Sequence, residues 1–111
     1  MGFCMEIGIE DFNKLDLRVC TVVAAERISG MKKILKVKVD LGGETRELVV
    51  GGAEYYPPEY FIGKKFIILA NLQPKKIAGI ESQGMLLAAD VGGKPVWLTV
   101  DGDAPAGSKV R

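Results

Sequence analysis

Four lysines fall within seven residues at Lys32, Lys33, Lys36 and Lys38. A second run, Asn71-Leu72-Gln73-Pro74-Lys75-Lys76-Ile77-Ala78-Gly79-Ile80-Glu81-Ser82-Gln83-Gly84-Met85, gathers amides, a hydroxyl and two more lysines around glycines. Both sets carry chemistry that can hold a polyanion. Cationic heads spread over a rigid surface neutralise successive phosphates. Amides and hydroxyls in a turn reach ribose hydroxyls and the edges of unstacked bases. Gly79 and Gly84 let the backbone approach a ligand or adopt positive φ. Each set also has a plainer reading. The lysines could be a solvated strand face or guards of a sheet edge, and the 71–85 run a polar hairpin with turn glycines. A third group, Tyr55, Tyr56, Tyr60 and Phe61, could stack on bases. Its helix-like spacing, with Pro57, Pro58 and Ile62 alongside, favours a packed plug over one end of a core. Trp97 falls in a strand and is expected in the core or at a subunit contact rather than on a stacking platform.

Other chemistries find no support. The chain has no histidine, which removes Ser-His and Cys-His nucleophiles, imidazole bases and His-ligated metals. Cys4 and Cys20 have neither C-x-x-C spacing nor a Cys/His cluster around them, so no zinc site is expected. Cys20 lies in an apolar run and is expected to be buried; Cys4 is expected in a frayed terminus. Gly51-Gly52 is not followed by the Lys-Ser/Thr of a phosphate loop, and no G-x-G-x-x-G joins a strand to a helix. Carboxylate or Lys chemistry stays formally open, but no pair of such residues has a recognisable catalytic spacing, and a non-catalytic module without cofactors is the expectation. Net charge is only +1, but residues 32–76 hold nine basic and five acidic side chains. The positive charge is therefore concentrated mid-chain, where it can form a local phosphate-facing patch.

These groups must be held by a small β structure. Leu35, Val37, Val39 and Leu41 alternate with Lys36, Lys38 and Asp40, which predicts a half-buried antiparallel strand with a basic outer face. Gly42-Gly43 is a hairpin turn leading to a partner strand over Thr45–Val50. Leu17–Ile28 reads as a long strand, preceded by a helical turn that Asp11 and Asn13 can cap and Phe12 and Leu15 anchor. A short helix near 55–61 and a strand over 66–70 follow. The 71–85 run is predicted as a polar, glycine-punctuated stretch. Strands over 85–89 and 95–100 join at Gly92-Gly93, and the tail has a last short strand at Lys109-Val110. A helix between the third and fourth of these strands matches the plan of a five-stranded OB barrel with a C-terminal extension. Residues 1–10 are expected to be a flexible terminus and 11–111 one domain. No apolar run approaches the ~18 residues of a membrane span. The start, MGFCMEIGIEDF, lacks the pattern of a signal peptide or a myristoylation site, so a cytoplasmic location is expected.

Three segments, DFNKLDLRV, ILKVKVDLGGETRELVVGGAEYYPPE and GKKFIILANLQPKKIAGIESQGMLLAAD, resemble the tRNA-binding domain family. That family includes the C-terminal domain or β subunit of methionyl-tRNA synthetases and free-standing tRNA-binding proteins. The likeness runs from about Asp11 to Arg111, and the ordered NLxPxKxxGxxSxGMxLAA string carries most of it. It implies an all-β OB fold, a homodimer, and recognition of the tRNA corner by shape and backbone. It also implies a methionyl-tRNA synthetase catalytic chain as a candidate partner. Its motif residues fall here on Asn71, Lys75 or Lys76, Ser82, Gly84 and Met85, with Gln83 between them. Ser82 would donate to a phosphate or ribose, and Met85 would give an apolar contact or support the loop. Cys20, Val50 and Gly52 depart from the family pattern, which has Gly, Ser and an apolar residue there. An export-related, peptide-binding chaperone of the same fold is the competing expectation.

Overall fold

The computed structural model describes residues 5–111. Cys4 lies outside them. The barrel is built on β2 (Ile34–Asp40), whose strict alternation is realised as expected. Leu35, Val37 and Val39 are fully buried, while Lys38 faces out. It pairs in antiparallel register with β3 (Thr45–Gly51) across the glycine turn, and with the long β1 (Leu17–Arg27) on its other side. In β1 the register slips between Val22 and Ala24. The extra residue, Val23, is left half-exposed. Such a bulge bends a strand and tightens its twist. Here it lets the first part of β1 pair with β4 (Lys65–Leu69) and the rest with β2. The sheet continues to β7 (Met85–Leu86), in the order β3-β2-β1-β4-β7, and curls into an OB-type barrel.

Part of the polar 71–85 run is a hairpin. Lys75–Ile77 (β5) and Ile80–Ser82 (β6) are paired strands, joined by a two-residue turn at Ala78-Gly79. Both turn residues have positive φ, 52° and 80°, as a tight hairpin that follows the right-handed strand twist requires. The plainer reading of this run, a polar hairpin with turn glycines, is the one realised, although alanine at the first turn position is not the usual Asn or Gly signal. Beyond β7, Ala88–Val91 (β8) and Lys94–Trp97 (β9) form a second hairpin outside the main sheet, and β10 (Lys109–Val110) returns to pair with the start of β1.

The short helix α2 (Pro58–Phe61) lies between β3 and β4. Pro57 and Pro58 set its first turn, where a missing N–H is harmless, and Gly63 with φ 83° ends it. It drives Phe61 fully into the core, with ring centroids 5.6 Å from Trp97 and 5.8 Å from Phe66. Tyr56 and Tyr60 pack around it. The plug reading therefore holds for these side chains, and Trp97 belongs to the same cluster. Cys20 is fully buried, and burial pushes its thiol up to about 12, so it behaves as a small hydrophobe. The helical turn before β1 is α1 (Ile9–Phe12), which starts from Gly8 without a side-chain cap. Asp11 lies inside it rather than capping it, because the helix begins earlier than expected, and its carboxylate accepts from the Lys14 ammonium at 3.1 Å.

The first and last parts of the described chain meet at Asp16. Its carboxylate accepts two bonds from Arg18 at 2.9 Å and one from Lys109 at 3.0 Å. The Arg18 hydrogen bonds, then that of Lys109, lower its pKa to about 2. The ordinary Asp value is 3.8. The clasp thus contributes stability above that value, and the contribution is lost as pH falls from about 4 through about 2. Asp16→Asn is expected to flatten that acid limb of the stability curve, as followed by thermal melting at successive pH values. An unchanged limb would show that the clasp contributes nothing measurable.

Candidate nucleic-acid interface

The lysines of β2 do not act alike. Lys36 stands opposite Glu26 on β1 and next but one to Glu47 on β3. Its ammonium lies 2.8 Å from the Glu26 carboxylate and 3.9 Å from that of Glu47. The hydrogen bond and charge of Glu26 raise its pKa, so it stays protonated, but its field is largely cancelled at short range. Lys38 is exposed and makes no ion pair among the described residues. Lys32 and Lys33 are exposed in the turn before β2, away from the strand face itself.

Lys75 and Lys76 are exposed on β5 and also lack ion pairs among the described residues, although Glu81 stands opposite Lys76 in register. The hairpin that carries them is tied to β3 through the residues that follow it. The Gln83 N–H donates to the Glu47 carbonyl at 2.9 Å, and the Glu47 N–H donates to the Gln83 side-chain oxygen at 3.2 Å. The Val49 N–H donates to Ser82 Oγ at 3.1 Å, and the Ser82 hydroxyl donates to the Gly84 carbonyl at 3.1 Å. An edge strand leaves a row of unpaired backbone groups. On β3 the Ser82 and Gln83 side chains take the place of a neighbouring strand and close the barrel seam.

This arrangement gives Ser82 a different occupation from the one expected of it. It is buried, its one donor goes to Gly84, and its oxygen is taken up by Val49. Gly84 is equally structural. It has φ 140°, and a Cβ there would lie 3.0 Å from both the Leu69 carbonyl oxygen and Ile68 Cδ1. Asn71 also serves the frame. Its Oδ1 accepts from the Asp16 N–H at 2.9 Å and its Nδ2 donates to the Lys14 carbonyl at 2.6 Å. Met85 is 45% exposed and lines a cleft of about 320 Å3 with Val49, Leu72, Lys75, Ile77 and Ser82. Lys36, Val49, Ser82 and Lys75 follow one another across adjacent strands, so the structure brings Lys36, Lys38, Lys75 and Met85 to one region. Lys32 and Lys33 stand at one end of β2, and Asn71 is tied to the segment leading into β1.

Arg46 escaped the sequence reading. It is half-buried, and its guanidinium donates to the carbonyls of Ala70 and Gln83, joining β3 to the exit of β4 and to the Ser82–Gly84 segment. The available signal was parity: Arg46 shares a strand face with Leu48 and Val50, both buried. A charged residue on such a face must find partners.

With this geometry in view, comparisons with known proteins agree on the family. The family model described as "Putative tRNA binding domain" matches residues 17–109. The methionine–tRNA ligase of Caldanaerobacter subterraneus subsp. tengcongensis is 54% identical over 104 residues, which is 94% of this chain but 16% of that protein. The chain thus spans about a sixth of the length of that relative. A MetRS related protein from Pyrococcus horikoshii has the same fold, with TM-score 0.92 and 41% identity over 97% of this chain and 100% of that one. Chaperone CsaA of Bacillus anthracis superposes with TM-score 0.86 at 28% identity, over 96% of this chain and 100% of that one. No helix among the described residues is long and apolar enough to cross a membrane. A family match over residues 17–109, together with relatives half identical over nearly the whole chain, establishes that the chain belongs to the tRNA-binding domain family.

Proposed function

We propose that this chain binds tRNA without catalysing a reaction, reading shape and backbone through Lys38, Lys75, Lys76 and the neighbouring cleft, with Lys36 in support. The family match over residues 17–109 carries this reading. The geometry supports it: lysines without an ion pair among the described residues are held on a rigid barrel face and on a latched hairpin, as phosphate positioning requires. A-form RNA is recognised mainly through phosphates and 2′-hydroxyls, so little base sequence would be read. The module would serve as an accessory to a methionyl-tRNA synthetase chain, raising the local concentration of tRNA. The likeness to the methionine–tRNA ligase supports that role.

The net charge of +1 gives one copy few phosphate contacts. A homodimer would double them, and binding would then gain from two linked sites. Light scattering on the purified chain at micromolar concentration is expected to give twice the 12.0 kDa chain mass. A mass of one chain would remove the dimer and its avidity.

The competing reading is a peptide-binding chaperone, supported by the CsaA neighbour. Titration with total tRNA, run beside an assay of suppressed protein aggregation, separates the two. Salt-sensitive tRNA binding supports the RNA reading. Strong aggregation suppression without tRNA binding supports the chaperone.

A further inference from the structure

The aromatic run divides at the start of α2. Tyr56, Tyr60 and Phe61 join the core cluster, whereas Tyr55 remains 50% exposed. The segment that carries Tyr55 is well anchored. The N–H groups of Tyr55 and Tyr56 both donate to the Gly52 carbonyl at 2.9 Å. The Ala53 N–H donates to the Lys33 carbonyl at 3.2 Å, which ties the Lys32–Lys33 turn to the same corner. From the other side, Lys94 at the start of β9 holds its ammonium 5.7 Å from the ring centroids of both Tyr55 and Tyr56. Its hairpin is fixed in turn: the Tyr56 hydroxyl donates to the Pro95 carbonyl at 2.7 Å, and Pro95 packs so closely over Gly52 that a Cβ there would meet its Cγ at 2.8 Å. Beside this corner the Gly51-Gly52 backbone and the hairpin border an open groove of about 310 Å3, walled by Ala88, Ala89, Asp90 and Pro95 and lined by neither Tyr55 nor a lysine.

We propose that this corner is a second RNA contact that takes an unpaired nucleotide, with the base stacked on Tyr55 and its phosphate held by Lys94 and the Lys32–Lys33 turn. The inference rests on the tRNA-binding reading and adds a contact to single-stranded nucleotides that the lysine hairpin does not provide. A half-exposed ring on a fixed backbone offers a flat π face at little entropic cost, and every base has a matching face. Lysines beside such a ring supply the phosphate partner. The nearby acids do not cancel them. Lys32, Lys33 and Lys94 outnumber Glu54 and Asp90, and the Asp90 carboxylate accepts from the Gly93 N–H of its own turn at 2.9 Å. Lys32 and Lys33, which the β2 face leaves aside, acquire a role here.

The test is fluorescence anisotropy of a labelled, short, unstructured oligoribonucleotide titrated with the full chain, beside a blunt RNA duplex and intact tRNA. Wild type is expected to bind the oligonucleotide. Tyr55→Ala should weaken that binding about tenfold, within the range for loss of base–aromatic stacking, while duplex binding and melting temperature stay unchanged. Tyr55→Phe should retain affinity, because it keeps the ring. Lys94→Ala should weaken binding several-fold and make its salt dependence shallower. Equal oligonucleotide affinity for wild type and Tyr55→Ala would overturn the proposal, as would an equal loss on the duplex. Displacement of the oligonucleotide by an unstructured apolar peptide would assign the corner to peptides and overturn it too. A wild-type chain that binds tRNA but not the oligonucleotide overturns this inference alone; one that binds neither overturns the tRNA reading with it.

Discussion

Replacing Lys75 and Lys76 together by glutamate is expected to weaken tRNA binding by about two orders of magnitude at low salt, and to reduce the salt slope by roughly 0.7–0.9 for each phosphate that is no longer neutralised. Both side chains are exposed and make no ion pair among the described residues, so their charge is less neutralised than that of Lys36, although Glu81 stands across from Lys76. Reversal removes an attraction and adds a repulsion at each site. Lys36→Glu with Lys38→Glu should act more weakly, because Lys36 already shares its charge with Glu26 at 2.8 Å and Glu47 at 3.9 Å. The comparison is made by filter binding across a salt series. A larger effect from the β2 pair than from the hairpin pair would move the binding surface onto the strand face.

Ser82→Ala is expected to destabilise the fold by about 0.5–1.5 kcal/mol, the net worth of an intramolecular hydrogen bond whose donor is part-buried. In a domain of this size that lowers the melting temperature by about 4–8 °C per kcal/mol. The orphaned donor is the Val49 N–H, which bonds Ser82 Oγ at 3.1 Å. Loosening this latch frees the β5–β6 hairpin from β3, so tRNA affinity should fall with stability. Amide exchange would then rise at Val49, and at Glu47 through the weakened Gln83 hydrogen bond. Reduced affinity with unchanged stability and unchanged exchange would instead mean that the hydroxyl touches RNA directly.

The barrel was readable in the residues wherever alternation was strict. The Leu35–Leu41 pattern, the Gly42-Gly43 turn and the proline-started α2 all appear as expected, because each rests on a local rule. The 71–85 run was harder. Its motif residues were visible as a string, but their work depends on β3, which lies more than thirty residues away in sequence. A serine and a glutamine that substitute for a missing backbone ladder look, in sequence, like polar ligand contacts. The same limit hid the neutralisation of Lys36, since Glu26 and Glu47 reach it only through the β1–β2 and β2–β3 registers. The four aromatic residues of 55–61 read as one group, and only packing separates the exposed Tyr55 from its buried neighbours.

The proposed tRNA contact runs through phosphates on a small basic region of a domain with little net charge. A titration of the purified chain with total tRNA across a salt series tests it most directly. Saturable binding is expected, with a log affinity that falls linearly with log salt concentration and a slope set by a handful of phosphate contacts. Absent binding at low salt, or binding indifferent to salt, would contradict it.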